Sequence, residues 1–358
     1  MIAKRRGIVG DLERDSVMKK SPDQAAGPIQ LLRLTESFIL HQALYAAAVL
    51  GIADLLREGP RPVTELAKLA QVNEDALFRT LRYLSGREVF YETAPQHFSN
   101  SKLSEWLRSD VPQSVHAVAI FRGSNYFFKP FEEFLYTVRT GKPSSIKALG
   151  MQGFDYLRHH PDEARIFDDA MTALSSLSAP AIATAYDFGQ WGSLMDIGGG
   201  QGLLLAEILR AHKDLRGALT DQEYVIDRAR TSRPLMQFGD RVRFQCADIF
   251  REVPAGCRAY LMKNVIHDWD DEHASRILRN CRDSIPHDGV LLLVEYCLDE
   301  SESAPLAQAI DLIMMTVTGG RERTFPEFRS LLSGAHFEIS RAIPVTGDIQ
   351  IIEAFPVY

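Results

Sequence analysis

The second half of the chain alternates between short, mostly apolar runs and longer amphipathic stretches, and this alternation constrains the fold more than any other feature. Runs of strand length occur at residues 194–197, 217–220, 242–245, 259–263 and 290–294. Strands that alternate with helices form a parallel sheet that is covered by helices on both faces. The chain ends differently, because residues 338–345 and 349–355 flank Gly347-Asp348, which predicts an antiparallel hairpin.

A glycine-rich loop follows the first of these strands. It contains Asp196, Gly198, Gly200 and Gly202 in the spacing D-x-G-x-G-x-G. Glycine lets a ligand approach the backbone without a Cβ in the way. The dinucleotide spacing G-x-G-x-x-G/A does not fit, because its last position falls on a leucine whether the count begins at Gly198 or at Gly200. Asp196 would repel a pyrophosphate but can hold a cationic amino-acid group, so the loop predicts a ligand without phosphate.

Acidic residues also close the next two strands. Asp221 follows the second strand, where a carboxylate can accept hydrogen bonds from both hydroxyls of a ribose. Asp248 follows the third strand, where it can accept from an adenine amino group, and Ile249 can cover the ring face. Each acid taken singly is equally well explained as a helix cap. Three acids at three successive strand ends predict a nucleoside that is joined to a cationic amino acid.

The first third of the chain predicts a helical domain that contains a winged helix. Apolar residues recur at helical spacing over 29–56, and one small domain can hardly cover so apolar a helix. Two short helices follow, the second capped by Asn73, and residues 88–99 predict a hairpin. A winged helix serves either DNA binding or dimerisation. The second helix carries Arg79 and Arg82 beside two acidic residues, and this lack of a basic stripe favours dimerisation.

The 358 residues therefore divide into four predicted segments. They are a flexible N-terminal extension at 1–28, a winged-helix dimerisation domain at 29–125, a helical linking and substrate-lid region at 126–188, and a ligand-binding α/β domain at 189–358. The net charge of −7 argues against nucleic acid as a partner. The sequence has no apolar run long enough for a transmembrane helix or signal peptide and no C-x-x-C pair, so we expect a cytoplasmic protein with reduced thiols.

Four motifs together resemble the S-adenosylmethionine-dependent small-molecule O-methyltransferases of plants and bacteria, the class that needs no metal. They are MDIGGGQG at 195–202, ADIF at 247–250, MKNVIHDWDDEHA at 262–274 and GGRERTFPEF at 319–328. The similarity extends from about Phe38 to the C-terminus. It implies a Rossmann-like, seven-stranded class I methyltransferase domain with an antiparallel C-terminal hairpin. It also implies a homodimer in which the winged-helix domain completes the substrate pocket of the partner.

The resemblance assigns roles to individual residues. It implies cofactor contacts at Gly198, Asp221, Asp248, Ile249, Lys263 and Trp269, to which the glycine-loop argument adds Asp196 and Gly200. The family's catalytic base falls on His267, and its supporting carboxylates fall on Glu295 and Glu322. Contacts to the methyl acceptor are expected at Met171, Asn264, Asp268, Ile313 and Val317.

The sequence departs from the plant enzymes at two places. Gln222 and Glu223 follow Asp221 where the plant enzymes usually have Leu-Pro, so we expect the contacts to adenosine to differ from theirs. Val317 and Thr318 stand where plant phenylpropanoid enzymes have a polar substrate contact. A bacterial secondary metabolite therefore fits better than a lignin-type phenol.

The chemistry that these residues predict is a proton transfer beside an activated methyl group. A neutral imidazole at His267 can take the proton of an acceptor hydroxyl, since the reference pKa of histidine is about 6.5. A carboxylate on the other ring nitrogen would fix the tautomer, and Glu295 and Glu322 are both within reach of that role. The alternative interpretation of His267 is a cap for the following helix.

Parts of the sequence are also compatible with other functions. Asp268, Asp270, Asp271 and His273 resemble a metal cluster, but acids in the first turn of a helix also complement its dipole, so no metal is expected. Methyl transfer to carbon, nitrogen or a carboxylate, and cofactor chemistry without methyl transfer, remain alternatives. A DNA-binding regulator that senses S-adenosylmethionine would need the basic recognition helix that residues 73–85 lack.

Overall fold

The computed structural model describes residues 27–298 and 304–357. Contacts among the described residues divide them into two compact units, with the boundary between Gln42 and Ala43. The predicted extension at 1–28 lies outside the described residues except for its last two, and Pro28 already begins a helix. The flexibility expected of that extension therefore stays a prediction.

The apolar stretch 29–56 forms three helices where the sequence predicts one. They are α1 (Pro28–Thr35), α2 (Ser37–Val49) and α3 (Ile52–Leu55). Gly51 separates α2 from α3 with a φ of +62°, in the left-handed region that favours glycine. The expectation of a single helix was wrong. Apolar residues keep their helical spacing across Gly51, so the spacing alone does not reveal the backbone turn there.

The winged helix has the predicted arrangement of two helices and a hairpin. Its elements are β1 (Arg61–Pro62), α4 (Val63–Ala70), α5 (Glu74–Ser85), β2 (Phe90–Ala94) and β3 (His97–Asn100), and its strands follow the order β1-β3-β2. Asn73 caps α5 because its side chain accepts a hydrogen bond of 2.9 Å from the backbone nitrogen of Ala76.

A helical region links the winged helix to the sheet. It consists of α6 (His116–Gly123), α7 (Asn125–Glu132), α8 (Phe134–Thr140), α9 (Ser145–Leu149), α10 (Gly153–His159) and α11 (Pro161–Ala185). Pro161 occupies the first turn of α11, where its missing N–H costs nothing. α11 is the longest of these helices, with 25 residues. Within residues 27–298 and 304–357, neither α11 nor any other helix is both long and apolar enough to cross a bilayer.

The remainder of the described residues form an eight-stranded mixed sheet with flanking helices, and seven of its strands follow one order. These seven strands are β4 (Ser193–Ile197), β5 (Arg216–Asp221), β6 (Val242–Cys246), β7 (Ala259–Lys263), β8 (Val290–Leu298), β10 (Phe337–Thr346) and β11 (Ile349–Pro356). The order β10-β11-β8-β7-β4-β5-β6 places the antiparallel hairpin at one edge, as predicted. The short β9 (Arg323–Thr324) pairs with the end of β8 outside this order.

Helices cover both faces of this sheet, so its central strands are buried on both sides. The helices are α12 (Leu203–Ala211), α13 (Glu223–Ala229), α14 (Arg233–Met236), α15 (Asp271–Ser284), α16 (Pro305–Val317) and α17 (Phe325–Gly334). Leu292 of β8 packs with residues of α11 and α12, and its neighbour Leu293 packs with residues of α15 and α17. Because β4, β5, β6, β7 and β8 are parallel, their carboxyl ends lie at one edge of the sheet, where the following loops bring polar side chains together.

Substitution of the glycine loop separates steric from ligand effects. Gly200 and Gly202 both have positive φ, but a Cβ at Gly202 would lie 2.2 Å from Leu235 Cδ1, whereas a Cβ at Gly200 meets nothing within 4 Å. Because Leu235 is buried, we expect Gly202→Ala to lower the free energy of unfolding by about 1–3 kcal/mol more than Gly200→Ala does. Urea titrations of the ligand-free variants measure this difference, and equal losses would contradict the steric argument.

Candidate active site

His267 lies just beyond the end of β7. Asn264 has a φ of +54° and turns the chain at this point, while its backbone nitrogen donates to Val294 of β8 at 3.0 Å. A single 3₁₀ turn, Ile266–Asp268, then carries the imidazole, whose residue is only 6% exposed. His267 does not cap α15, because the N-cap of that helix is Asp270. The helix-cap interpretation of His267 is therefore not supported.

Two buried glutamates flank the imidazole at different distances. Glu322 Oε1 lies 2.6 Å from His267 Nδ1, which is a hydrogen-bond distance. Glu295 Oε2 lies 3.9 Å from the same nitrogen. The other oxygen of Glu295 accepts hydrogen bonds from the backbone nitrogens of Val265 and Ile266, at 3.2 and 3.0 Å. Glu322 therefore orients the ring, and Glu295 secures the backbone of the turn.

The electrostatics of this cluster favour retention of a proton. Burial raises the pKa of Glu322, and the nearby Asp311 raises it further. Burial likewise raises the pKa of Glu295, and burial raises that of Asp268 to about 7. A raised pKa makes a carboxylate a stronger proton acceptor, so an ionised Glu322 would hold a proton on His267 Nδ1 and leave Nε2 as the free base.

The same three side chains have a spacing that a metal ion could use. Ligand atoms of His267, Glu295 and Glu322 lie within 4.8 Å of one another. The acids of α15 that resembled a metal cluster have other contacts. Asp270 accepts from the backbone and ring nitrogens of His273, and Asp271 pairs with Arg323. The expectation that catalysis needs no metal stays a prediction, which chelation can test.

The glycine loop places a buried acid beside an open cradle. Asp196 is 1% exposed, and its Oδ2 atom has no hydrogen-bond partner. Burial raises the pKa of Asp196 to about 7, Asp221 contributes in the same direction, and Lys263 opposes it. Gly200 leaves open space where a side chain would stand. An unpartnered carboxylate next to a glycine-rich loop fits the charged amino-acid end of S-adenosylmethionine.

The remaining predicted cofactor residues line the same edge of the sheet. Asp221 accepts hydrogen bonds from the backbone nitrogens of Gly200 and Gln222, at 3.0 and 2.7 Å, so it shapes the loop and does not cap α13. Asp248 is exposed and accepts from the nitrogen of Phe250 at 3.0 Å. Gly198 has a φ of +68°, and Ile249 is half-buried. Lys263 Nζ lies 3.5 Å from Ser175 Oγ. The ring of Trp269 is edge-on to that of Phe250.

Predicted acceptor residues fall into two groups. Met171, Ile313 and Val317 belong to one apolar cluster, although they come from α11 and α16. Aromatic side chains dominate this cluster, with ring centroids 5 to 6 Å apart: Phe121, Tyr126, Phe127, Phe131, Phe154 and Phe167. The other two belong to the segment of His267: Asp268 Oδ1 lies 3.9 Å from His267 Nε2, and the side-chain oxygen of Asn264 is buried without a hydrogen-bond partner.

The sequence did not single out the contacts that join the helical region to the cofactor edge. Asp168 of α11 forms an ion pair of 2.6 Å with Arg228 and accepts from Gln201 of the glycine loop at 3.3 Å. Arg158 donates to Gln222 at 3.0 Å. Asp168 precedes another aspartate on a helix, a pattern typical of a solvated face, so no local signal distinguished it.

Comparison with known proteins identifies the family of this chain. Residues 131–338 match the O-methyltransferase domain family, and residues 32–110 match the O-methyltransferase dimerisation domain family. The chain belongs to the S-adenosylmethionine-dependent O-methyltransferases. Members of this family methylate small secondary metabolites, and some relatives are N-methyltransferases.

Three relatives illustrate the range. Phenazine O-methyltransferase of Lysobacter antibioticus is 37% identical over 91% of this chain and 96% of its own length. Phenazine-1-carboxylate N-methyltransferase of Pseudomonas aeruginosa is 30% identical over 87% and 92%. An O-methyltransferase from neocarzinostatin biosynthesis, solved with S-adenosylmethionine and 2-hydroxy-5-methyl naphthoic acid, is 29% identical with a TM-score of 0.78 over 89% and 96%.

The buried charge of Asp196 predicts a pH-dependent cost to stability. Its pKa of about 7 in the folded chain lies above its ordinary value, so unfolding releases a proton at intermediate pH and the free energy of unfolding falls as pH rises toward 7. Asp196→Asn removes this loss. We expect the stability advantage of the ligand-free variant to grow by about 2 kcal/mol between about pH 5 and pH 8. Urea titrations at both pH values measure it, and a constant difference would contradict the burial argument.

Proposed function

We propose that this enzyme transfers the methyl group of S-adenosylmethionine to a hydroxyl of a small aromatic secondary metabolite, with His267 as general base. The observation that carries the proposal is the 2.6 Å contact between His267 Nδ1 and the buried Glu322. In the proposed mechanism an ionised Glu322 keeps the proton on Nδ1, which leaves Nε2 as a proton acceptor.

S-adenosylmethionine supplies an electrophilic methyl group when it is bound, so the chain has to position the acceptor and remove its proton. The residues at the sheet edge that fit the cofactor are Asp196, Gly198, Gly200, Asp221, Asp248, Ile249, Lys263 and Trp269. His267 Nε2 takes the hydroxyl proton, and Glu322 stabilises the resulting imidazolium through Nδ1. Glu295 keeps the turn in place through the nitrogens of Val265 and Ile266.

The apolar cluster supports a flat, aromatic acceptor. Its rings offer stacking surfaces, and Met171 adds a polarisable side chain that adapts to irregular ring systems. Asn264 and Asp268 are the polar residues that would orient the acceptor near His267. The relatives that act on phenazines and naphthoates are consistent with such a pocket, although neither name identifies the acceptor of this enzyme.

Methyl transfer to nitrogen is the second candidate, because a relative that is 30% identical is an N-methyltransferase. An aromatic nitrogen with a lone pair loses no proton on methylation and needs no general base. The two candidates therefore make opposite predictions for a variant that lacks the imidazole.

For a hydroxyl acceptor, His267→Ala should reduce kcat by about 10²–10⁴-fold, the usual contribution of positioned proton transfer. The affinity for S-adenosylhomocysteine should change little. Glu322→Gln should reduce kcat more than Glu295→Gln, because only Glu322 bonds to the ring. His159→Ala, an exposed histidine on α10, is the matched control. Steady-state kinetics and calorimetry measure these effects.

Retention of most activity in His267→Ala on the physiological acceptor would remove the general-base mechanism and favour nitrogen methylation. Treatment with EDTA should leave the rate unchanged, since the mechanism uses a proton between His267 and Glu322. A loss that added zinc or magnesium restores would instead assign a metal to the cluster of His267, Glu295 and Glu322.

We further propose that the enzyme is a homodimer formed largely by residues 29–125. The match of residues 32–110 to a dimerisation domain supports it. The helices α1 and α2 also leave large apolar side chains exposed, including Leu34 at 64% and Phe38 at 62%. Apolar side chains clustered on consecutive helices indicate a surface that another chain covers.

Leu34→Glu and Phe38→Glu together should convert the dimer to a monomer at micromolar concentration, because both charges would have to be buried in the interface. Met236→Glu, which is 66% exposed in the α/β domain, should leave the dimer intact. Light scattering measures the mass. A wild-type monomer, or a double variant that stays dimeric, would count against this interface.

A further inference from the structure

We propose that Arg323 is a positioning residue that sets the distance between His267 and Glu322. This inference depends on the proposed role of His267 as base. Arg323 is 1% exposed and is among the largest fully buried side chains of the described residues. Its place in the sequence, directly after Glu322, gave no reason to connect it with the base. Its contacts in the folded chain connect it with the segment of His267.

The guanidinium binds the backbone on both sides of the base. Arg323 Nη1 donates to the carbonyl oxygen of Ile266 at 3.2 Å, and Nη2 donates to that of Trp269 at 2.8 Å. These two carbonyls belong to the first residue of the turn that carries His267 and to the residue directly after the turn. A planar fork of donors can satisfy both at once, which a single ammonium group cannot do in the same geometry.

The charge of this buried group is balanced by an acid at the surface. Arg323 Nε and Nη2 donate to Asp271 Oδ1 at 2.9 and 2.8 Å, and the side chain of Asp271 is 65% exposed. A buried cation is costly without such a partner. Because the side chain of Asp271 is exposed, substitution of Asp271 removes the counter-charge of Arg323 without a change to the buried core.

The backbone of Arg323 is fixed as firmly as its side chain. It lies in β9 and pairs with Cys297 of β8, the strand that also carries Glu295. The preceding residue, Glu322, is held by Asp311, which accepts from its backbone nitrogen at 2.9 Å. Through these links one arginine connects the turn of His267 to the segment of Glu322, and the 2.6 Å contact between the two follows from that connection.

A second contact shows how closely these segments approach. Gly320 packs against the same turn so tightly that a Cβ there would lie 2.0 Å from the carbonyl oxygen of His267. The nitrogen of Arg321 donates to this oxygen at 2.9 Å. The turn of His267 is therefore bound by backbone contacts from 320–321 and by the side chain of Arg323, so loss of the fork would loosen the turn without releasing it.

Two variants test the inference. In Asp271→Asn the buried guanidinium loses its counter-charge, and in Arg323→Lys the fork is lost. We expect kcat to fall about 10-fold in Asp271→Asn and further in Arg323→Lys, since a misplacement of about 1 Å can cost about 10²-fold. In Asp271→Asn, which keeps the bond of Arg323 to the carbonyl of Trp269, KM for S-adenosylmethionine and Kd for S-adenosylhomocysteine should stay within about twofold of wild type. Arg258→Lys, whose exposed guanidinium pairs with Asp288, is the matched control and should retain full kcat.

A double variant separates this inference from the proposed function. In a His267→Ala background, Asp271→Asn should cause no further loss of kcat, because the base that it positions is gone. An equal loss of kcat in both backgrounds, or a loss of cofactor affinity in step with kcat, would overturn the positioning role. Full activity in Asp271→Asn and Arg323→Lys beside an inactive His267→Ala would overturn it alone. Full activity in His267→Ala would overturn the general base, and with it this role.

Discussion

The hydrogen bond between His267 and Glu322 joins two segments that are 55 residues apart, and most of the surrounding structure is arranged to hold it. The first segment leaves the sheet at β7 and is secured by Glu295 of the neighbouring strand. The second returns through β9, which pairs with that same strand. The bond is buried, so it is strong, and an unpaired partner would be costly. Accurate placement of both segments therefore matters more here than it would at an exposed ion pair.

The cofactor edge contains a buried carboxylate with no charged partner in hydrogen-bond contact. Asp196 is buried beside Asp221 without a hydrogen-bond partner on one oxygen, and this arrangement destabilises the ligand-free chain. Such a cost persists where the buried charge serves a ligand. The histidine site has the same feature, since Glu295 Oε2 and Glu322 Oε2 are also buried without a hydrogen-bond partner.

The helix α11 connects these two halves of the site. Its Asp168 pairs with Arg228 near the glycine loop, its Met171 belongs to the aromatic cluster, and its Ser175 contacts Lys263 at the end of β7. These residues are spaced at helical intervals and so lie on one face of α11. A single helix can therefore respond both to the cofactor edge and to the acceptor that the aromatic cluster would hold.

Local sequence was sufficient for the elements whose signal is local. Alternation of strands and helices, glycine spacing and the Gly347-Asp348 turn predicted the sheet, the glycine loop and the terminal hairpin, because backbone geometry follows from neighbouring residues. The division of residues 29–56 into three helices was missed, because apolar spacing continues across the turn at Gly51. The motif around His267 indicated a base but not which glutamate orients it.

Only the tertiary structure shows which glutamate contacts the ring of His267. Glu295 and Glu322 are both distant from His267 in sequence, and both lie in segments that reach the same edge of the sheet. The pairing of β9 with β8 brings Glu322 to 2.6 Å from the ring and turns Glu295 toward the backbone. The same holds for Arg323 and Asp168, which have the sequence context of ordinary loop and surface charges. Their roles depend on burial and on partners from other elements, and these are properties that arise only when distant segments pack together.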